Sequence, residues 1–323
     1  MTISRIKKII LITLILGISC QDPSIRVIPQ NDINDIFVPD TVTTQESIND
    51  PQQTGLACKL TSKAESNTEI LEVIEIPTDL PEKYDLSENM PPVRSQGNQG
   101  SCVSWATAYY LKSYQEKIQN NYEYDTYNEI MSPAFVYNQT KSDVNCGSGS
   151  EIKNALELLK EFGTTTWKDF PYSDKECSKI PSEDLLISAY KNRIKEYFKV
   201  AIPDTNSNPN YTLINLMKTL IYQKEPLVIA LDWENLVFET NGKDLIAVSY
   251  KTNPIDDCGH AVLIVGYDSE KEAFKIVNSW GTNWGNEGYG WLTFNFFKSK
   301  DDSHFQKGVL DLFVAFDETD NLD

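Results

Sequence analysis

A thiol that attacks a carbonyl needs a thiolate, a nearby base that becomes a cation, and donors for the oxyanion formed on the attacked carbon. The sequence can supply all three. Cys102 follows the turn residues Gly97 and Gly100 and opens a stretch whose Val103, Ala106, Tyr110 and Tyr114 suit a buried helix. The partial positive charge at a helix start favours the thiolate there. The base is sought among only two histidines, His260 and His304. His260 opens the apolar run Ala261-Val262-Leu263-Ile264-Val265-Gly266-Tyr267, a rigid mount, whereas His304 sits among Lys298, Lys300, Asp301, Asp302 and Ser303 and reads as a solvated loop.

The elements that carry these residues change period along the chain. Ile152, Ala155, Leu156, Leu159 and Phe162 repeat at helical spacing between Ser150 and a terminating Gly163. Ile214, Met217, Leu220 and Ile221 mark another helix over about 211–223. The second half instead offers short β-branched and aromatic runs at 226–231, 261–267, 274–277, 289–296 and 309–316, separated by Gly, Asn and Asp turns. Helices followed by strands predict an α+β protein with a helical lobe, an antiparallel, barrel-like β lobe and a cleft between them.

Three blocks resemble the papain family of cysteine peptidases. Pro92-Val93-Arg94-Ser95-Gln96 through Cys102 is similar to its nucleophile segment, Gly259-His260-Ala261-Val262 to its histidine strand, and Val277-Asn278-Ser279-Trp280-Gly281 through Tyr289 to its asparagine block. With Pro81, Tyr84 and Asp85 resembling the start of the mature family domain, the likeness covers roughly residues 81–316. It implies a two-lobe papain-like fold with Cys102 as nucleophile and His260 as base. Asn278 would orient the imidazole, Gln96 would donate to the oxyanion alongside the Cys102 N–H, and Trp280 would shield the His260–Asn278 bond. Gly149, Gly259 and Trp280 are the implied substrate contacts, and the partner is a protein or peptide cut through a thioester acyl-enzyme.

The departures are informative. Val103 stands where the family usually has tryptophan, with Trp105 two residues further on, so packing beneath the site must differ. Gln99 replaces the family's disulfide cysteine three residues before the nucleophile, so that bridge is absent. Setting aside Cys20 and Cys102 leaves Cys58, Cys146, Cys177 and Cys258, which allow three pairings. Cys146 with Cys177 is the preferred pair and Cys58 with Cys258 the remaining one; free buried thiols stay open for the latter two.

The N-terminus carries an export pattern, with Arg5, Lys7 and Lys8 before the apolar run 9–18 and Gly17-Ile18-Ser19-Cys20 resembling a bacterial lipobox. The expected organisation is a signal peptide at 1–19, a polar tether at 20–79 lipidated on Cys20, a peptidase domain at 80–317 and an acidic tail at 318–323. The enzyme would then act outside the cytoplasm as a monomer, meeting membrane only through its anchor. A charge of -18, from 47 acidic against 29 basic residues, repels phosphate backbones and argues against nucleic acid. Neither zinc-type ligand spacing nor a phosphate loop occurs, so no metal or cofactor is expected. Two further functions remain open on the sequence: a non-catalytic peptide-binding surface protein, and a peptidoglycan amidase or transpeptidase using the same triad.

Overall fold

The computed structural model describes residues 68–72, 74–124, 127–201, 212–251, 259–298 and 308–317. Helices occupy the first half of this span. The one that Cys102 opens runs through residues 102–120 as Cys102–Ser104, a π-wound stretch Trp105–Lys112, and Ser113–Asn120. Val103, Ala106, Tyr110 and Tyr114 are buried on it, as their spacing predicts. Helix Pro133–Thr140 starts on Ser132, whose hydroxyl accepts from Phe135 N, with Pro133 in the first turn. Helix Ile152–Glu161 ends where Gly163 takes φ +76° and donates to the carbonyls of Leu158 and Leu159. A Cβ on Gly163 would lie 2.2 Å from the carbonyl oxygen of Ala189, so glycine is required by both conformation and space. Phe162, expected on the buried face of this helix, is its C-cap residue and is 40% exposed.

Among the described residues nine strands form one sheet: β1 Lys83–Asp85, β2 Ile194–Lys199, β3 Leu227–Leu231, β4 Leu236–Asn241, β5 Asp244–Tyr250, β6 His260–Asp268, β7 Ala273–Val277, β8 Tyr289–Thr293 and β9 Val309–Asp317. Their order is β2-β9-β3-β6-β7-β8-β5-β4, with β1 added on β6. The expected α+β, papain-like architecture is present, with one difference inside the mainly antiparallel lobe: β5 pairs with β8 in parallel through Ile246↔Trp291 and Ala247↔Leu292, in a strand path that has β2 and β4 at its ends. The hairpin β4–β5 is what creates the parallel contact, since β5 reaches β8 across a long stretch of chain rather than through a tight turn. The run expected as strand through Phe296 leaves the sheet after Thr293 into a 3-10 turn, Phe294–Phe297.

β6 shows why the site is rigid. Every one of its nine residues is buried, which explains the apolar run between His260 and Asp268: a strand covered on both faces has no solvent side to mark with polar residues. β3 and β7 flank it, and the start of the Cys102 helix packs against it together with helix Leu213–Tyr222. His260 is therefore the first residue of a strand fixed on both edges. The N-terminal residues 69–71 run along the outer strand β2, where Leu71 N donates to Lys199 O and Ile70 forms a parallel bridge to Lys199.

Candidate active site

The nucleophile segment is held by main-chain bonds to the asparagine block. Gln96 N donates to Ser279 O at 2.8 Å, Gly281 N to Arg94 O at 3.2 Å, and Ser95 bridges Trp280. Cys102 is the first residue of its helix, is buried, and takes part in no disulfide. Ser101 is the helix N-cap, yet its side chain makes no capping bond. Its hydroxyl lies 2.7 Å from the Tyr172 hydroxyl instead.

His260 Nε2 lies 2.7 Å from Asn278 Oδ1. The backbone N–H of Ser279 donates to the same oxygen at 2.8 Å, which identifies it as the amide oxygen and not the nitrogen. Nε2 therefore carries the proton, and Nδ1 is the acceptor. Nδ1 is buried with no hydrogen-bond partner among the described residues. A base nitrogen in that state, on a strand against which the Cys102 turn packs, can take a thiol proton and return it to a leaving amine. Trp280 covers the imidazole at a centroid distance of 4.5 Å, and Trp233 closes another side at 4.8 Å. Tyr110, two turns along the nucleophile helix, donates to Asn278 O at 2.9 Å and ties helix to asparagine block. Burial pushes the Tyr110 hydroxyl well above its usual pKa, so it remains a donor.

The Gln96 amide is oriented from both ends. Ser279 Oγ donates to Oε1 at 2.6 Å, and Nε2 donates to Gln99 O at 2.8 Å. These two bonds fix the plane of the amide that the resemblance assigns to the oxyanion. Gln99, at the position of the family's missing cysteine, stitches the same contact with its amide: Nε2 reaches Ser173 O at 3.1 Å and Glu176 O at 3.4 Å. The loop it grips ends in Cys177, which is joined to Cys146, the preferred pairing from the sequence. Gly100 N donates to Cys146 O at 2.9 Å, and a Cβ there would lie 2.6 Å from Gly147 O. The approach of the two loops is thus too close for any side chain at 100.

Trp105, two residues after Val103, packs among aromatic rings. It is buried, tilted on Tyr109 at 4.5 Å and edge-on to Tyr172 at 5.1 Å. Among the expected substrate contacts, Trp280 is part-exposed at the site and Gly259 is buried beside His260. Gly149 is also buried, and its carbonyl accepts from Ser142 N at 2.9 Å, so that oxygen is engaged within its own loop. Cys20, Cys58, Cys258 and His304 lie outside the described residues. Ser279, Tyr172 and Trp233 are the residues sequence reasoning missed. Only Ser279 had a signal, its place inside the asparagine block.

Comparison with known proteins places the chain in a family. The family model described as papain family cysteine protease matches residues 80–302, and the chain belongs to that family. A cathepsin L-like proteinase of Fasciola hepatica is 28% identical over 223 residues, covering 65% of this chain and 59% of the relative. Mouse cathepsin K is 26% identical over 208 residues, 63% of this chain and 56% of its own. The chain thus spans a little over half the length of such curated relatives. Among solved structures, xylellain, a cysteine protease from Xylella fastidiosa, superposes with a TM-score of 0.64 at 25% identity, covering 84% of this chain and 99% of that one. Digestive procathepsin L 3 of Tenebrio molitor, at 18% identity and a TM-score of 0.56, shares the fold.

Proposed function

We propose that this chain is a thiol peptidase in which Cys102 attacks a peptide carbonyl and His260 takes the thiol proton. The observation that carries this is the single tautomer imposed on His260: Asn278 engages Nε2, and Nδ1 is left as a buried acceptor. Attack forms a carbon–sulfur bond and places charge on the carbonyl oxygen, where Gln96 Nε2 and the Cys102 N–H donate. Collapse expels the amine, which takes the proton from His260 and leaves a thioester. Water, deprotonated by His260, then releases the acid and restores the thiol.

The test is Cys102→Ala in purified protein. Peptide hydrolysis and labelling by a thiol-directed epoxide are both expected to disappear, and labelling that survives would overturn the assignment. Casein, a peptide library and cell-wall fragments, incubated side by side under reducing conditions, separate a peptidase from a peptidoglycan amidase and from a binding module. The same proposal has the mature chain exported and lipid-anchored at Cys20, supported by the basic residues 5, 7 and 8 and the apolar run before that cysteine. Among the described residues no helix is long and apolar enough to cross a membrane. Mass spectrometry of the native N-terminus checks the lipid.

A further inference from the structure

Asn278 and Ser279 share one planar peptide unit, and both of its polar ends are engaged. The Asn278 carbonyl accepts from the Tyr110 hydroxyl at 2.9 Å. The Ser279 N–H donates at 2.8 Å to Asn278 Oδ1, the oxygen that also meets His260 Nε2 at 2.7 Å. In a planar unit carbonyl and N–H turn together, so a rotation that pulls the carbonyl off the phenol also swings the N–H away from Oδ1.

The Asn278 side chain has little else to hold it. Its Nδ2 is buried with no hydrogen-bond partner among the described residues, so the amide is held through its oxygen, by the Ser279 N–H and by the imidazole it serves. Tyr110, His260, Asn278 and Ser279 are all buried, and water does not replace a bond lost among them.

Tyr110 stands in the π-wound stretch Trp105–Lys112 of the helix that Cys102 opens, its ring edge-on to Tyr109 at 5.0 Å. Tyr109 is as deeply buried, but its hydroxyl donates to Pro92 O at 2.6 Å, on the nucleophile segment. Two adjacent phenols thus fasten one helix to two different segments, and only Tyr110 ends on the peptide unit that holds Asn278.

We propose that Tyr110 is a positioning residue of the His260–Asn278 pair: its hydroxyl fixes the 278–279 peptide plane, whose N–H keeps the Asn278 oxygen turned to His260 Nε2. The helix that carries the nucleophile thereby sets the tautomer of its own base. The inference rests on the peptidase chemistry proposed for Cys102.

Tyr110→Phe keeps the ring and removes the hydroxyl. Tyr109→Phe, which removes the neighbouring hydroxyl, is the control for a lost buried bond elsewhere on the helix. The chain has two histidines, so ring-15N histidine in a His304→Gln background leaves His260 as the one imidazole observed. NMR measures exchange of its Nε2 proton with water. Hydrolysis of a peptidyl methylcoumarin amide and alkylation of Cys102 by iodoacetamide are measured on the same preparations. In Tyr110→Phe the ring proton is expected to exchange about fivefold faster, the scale of one hydrogen bond. Both kcat and alkylation should fall about fivefold with KM within about twofold, because a loosened imidazole supports the thiolate less well. Tyr109→Phe should leave exchange and alkylation within about twofold of the parent.

A Tyr110→Phe protein that keeps the parent's exchange rate, whatever its melting temperature, would overturn the proposal. Equal acceleration in the two variants would do the same, assigning the effect to a loosened helix. A parent with a protected ring proton that hydrolyses no peptide would defeat the peptidase reading alone, with exchange and alkylation still deciding the role of Tyr110.

Discussion

Ser279 Oγ donates to Gln96 Oε1 at 2.6 Å while the Ser279 N–H donates to Asn278 Oδ1 at 2.8 Å, so one residue sets the orientation of both amides of the site. The two bonds have different fates on mutation. Ser279→Ala removes the first and keeps the second, which is made by the backbone. Gln96 Nε2 then loses its enforced orientation while His260 keeps its tautomer. Loss of one such bond costs about 1 kcal/mol, roughly fivefold in rate. Steady-state kinetics should show that loss in kcat with KM unchanged; a fall in the iodoacetamide reaction of the same size would place the damage at His260 instead.

The site was more legible in the sequence than the frame around it, and the reason is physical. Gln96, Cys102, His260 and Asn278 stand in short segments whose chemistry restricts almost every neighbour. Strand β6 was visible because it is buried on both faces and apolar between its polar ends, His260 and Asp268. Strands β2, β4 and β5 were not: Ile194–Lys199 alternates with Lys and Glu, and Leu236–Asn241 ends in three exposed residues at the sheet edge, so neither carries a strong signal. Tyr172 was invisible for another reason. Its contact with Ser101 joins a loop to a segment 71 residues away, which no local pattern encodes.

The Cys146–Cys177 bridge closes a loop with a sequence separation of 31. By loop entropy alone this stabilises the fold by about 3–4 kcal/mol. It also anchors the loop whose Ser173 and Glu176 carbonyls hold Gln99. Cys177→Ser should therefore lower the melting temperature by roughly 10 °C. A melt under non-reducing conditions, compared with the parent, checks it. An unchanged Tm would mean that the Gln99 bonds suffice without the bridge.

Asp85 gives a pH dependence of defined sign. Burial pushes its carboxyl up, but the ion pair with Lys275 Nζ at 2.7 Å and the donors of Ser87 outweigh this and hold its pKa below the ordinary 3.8. A carboxyl with a depressed folded-state pKa contributes stability above its unfolded value, and that contribution is lost as pH falls through the lowered one. Asp85→Asn should thus lower Tm at neutral pH, and the gap to the parent should close below about pH 3. The carboxylate is half exposed, so the shift will be small. A gap that persists unchanged in acid would assign the effect to the bond with Ser87 N and not to charge.

Trp233 stands two residues past β3, in a 3-10 turn that Asp232 fastens by accepting from Asn235 Nδ2 at 3.0 and 2.8 Å. Its ring meets His260 at 4.8 Å, Trp280 at 5.3 Å, Trp284 at 5.8 Å and Phe238 at 5.4 Å. It is thus the side of the imidazole enclosure that comes from outside the asparagine block. Trp233→Ala opens a cavity worth about 3–5 kcal/mol and admits water beside the His260–Asn278 bond. Trp233→Phe keeps an aromatic wall and fills most of that space. If the ring holds the imidazole in place, kcat measured well below both melting temperatures falls sharply in the alanine variant and only slightly in the phenylalanine one. If it serves packing alone, the two variants differ in Tm and not in kcat, because a folded molecule with an intact Asn278 bond would still orient its base.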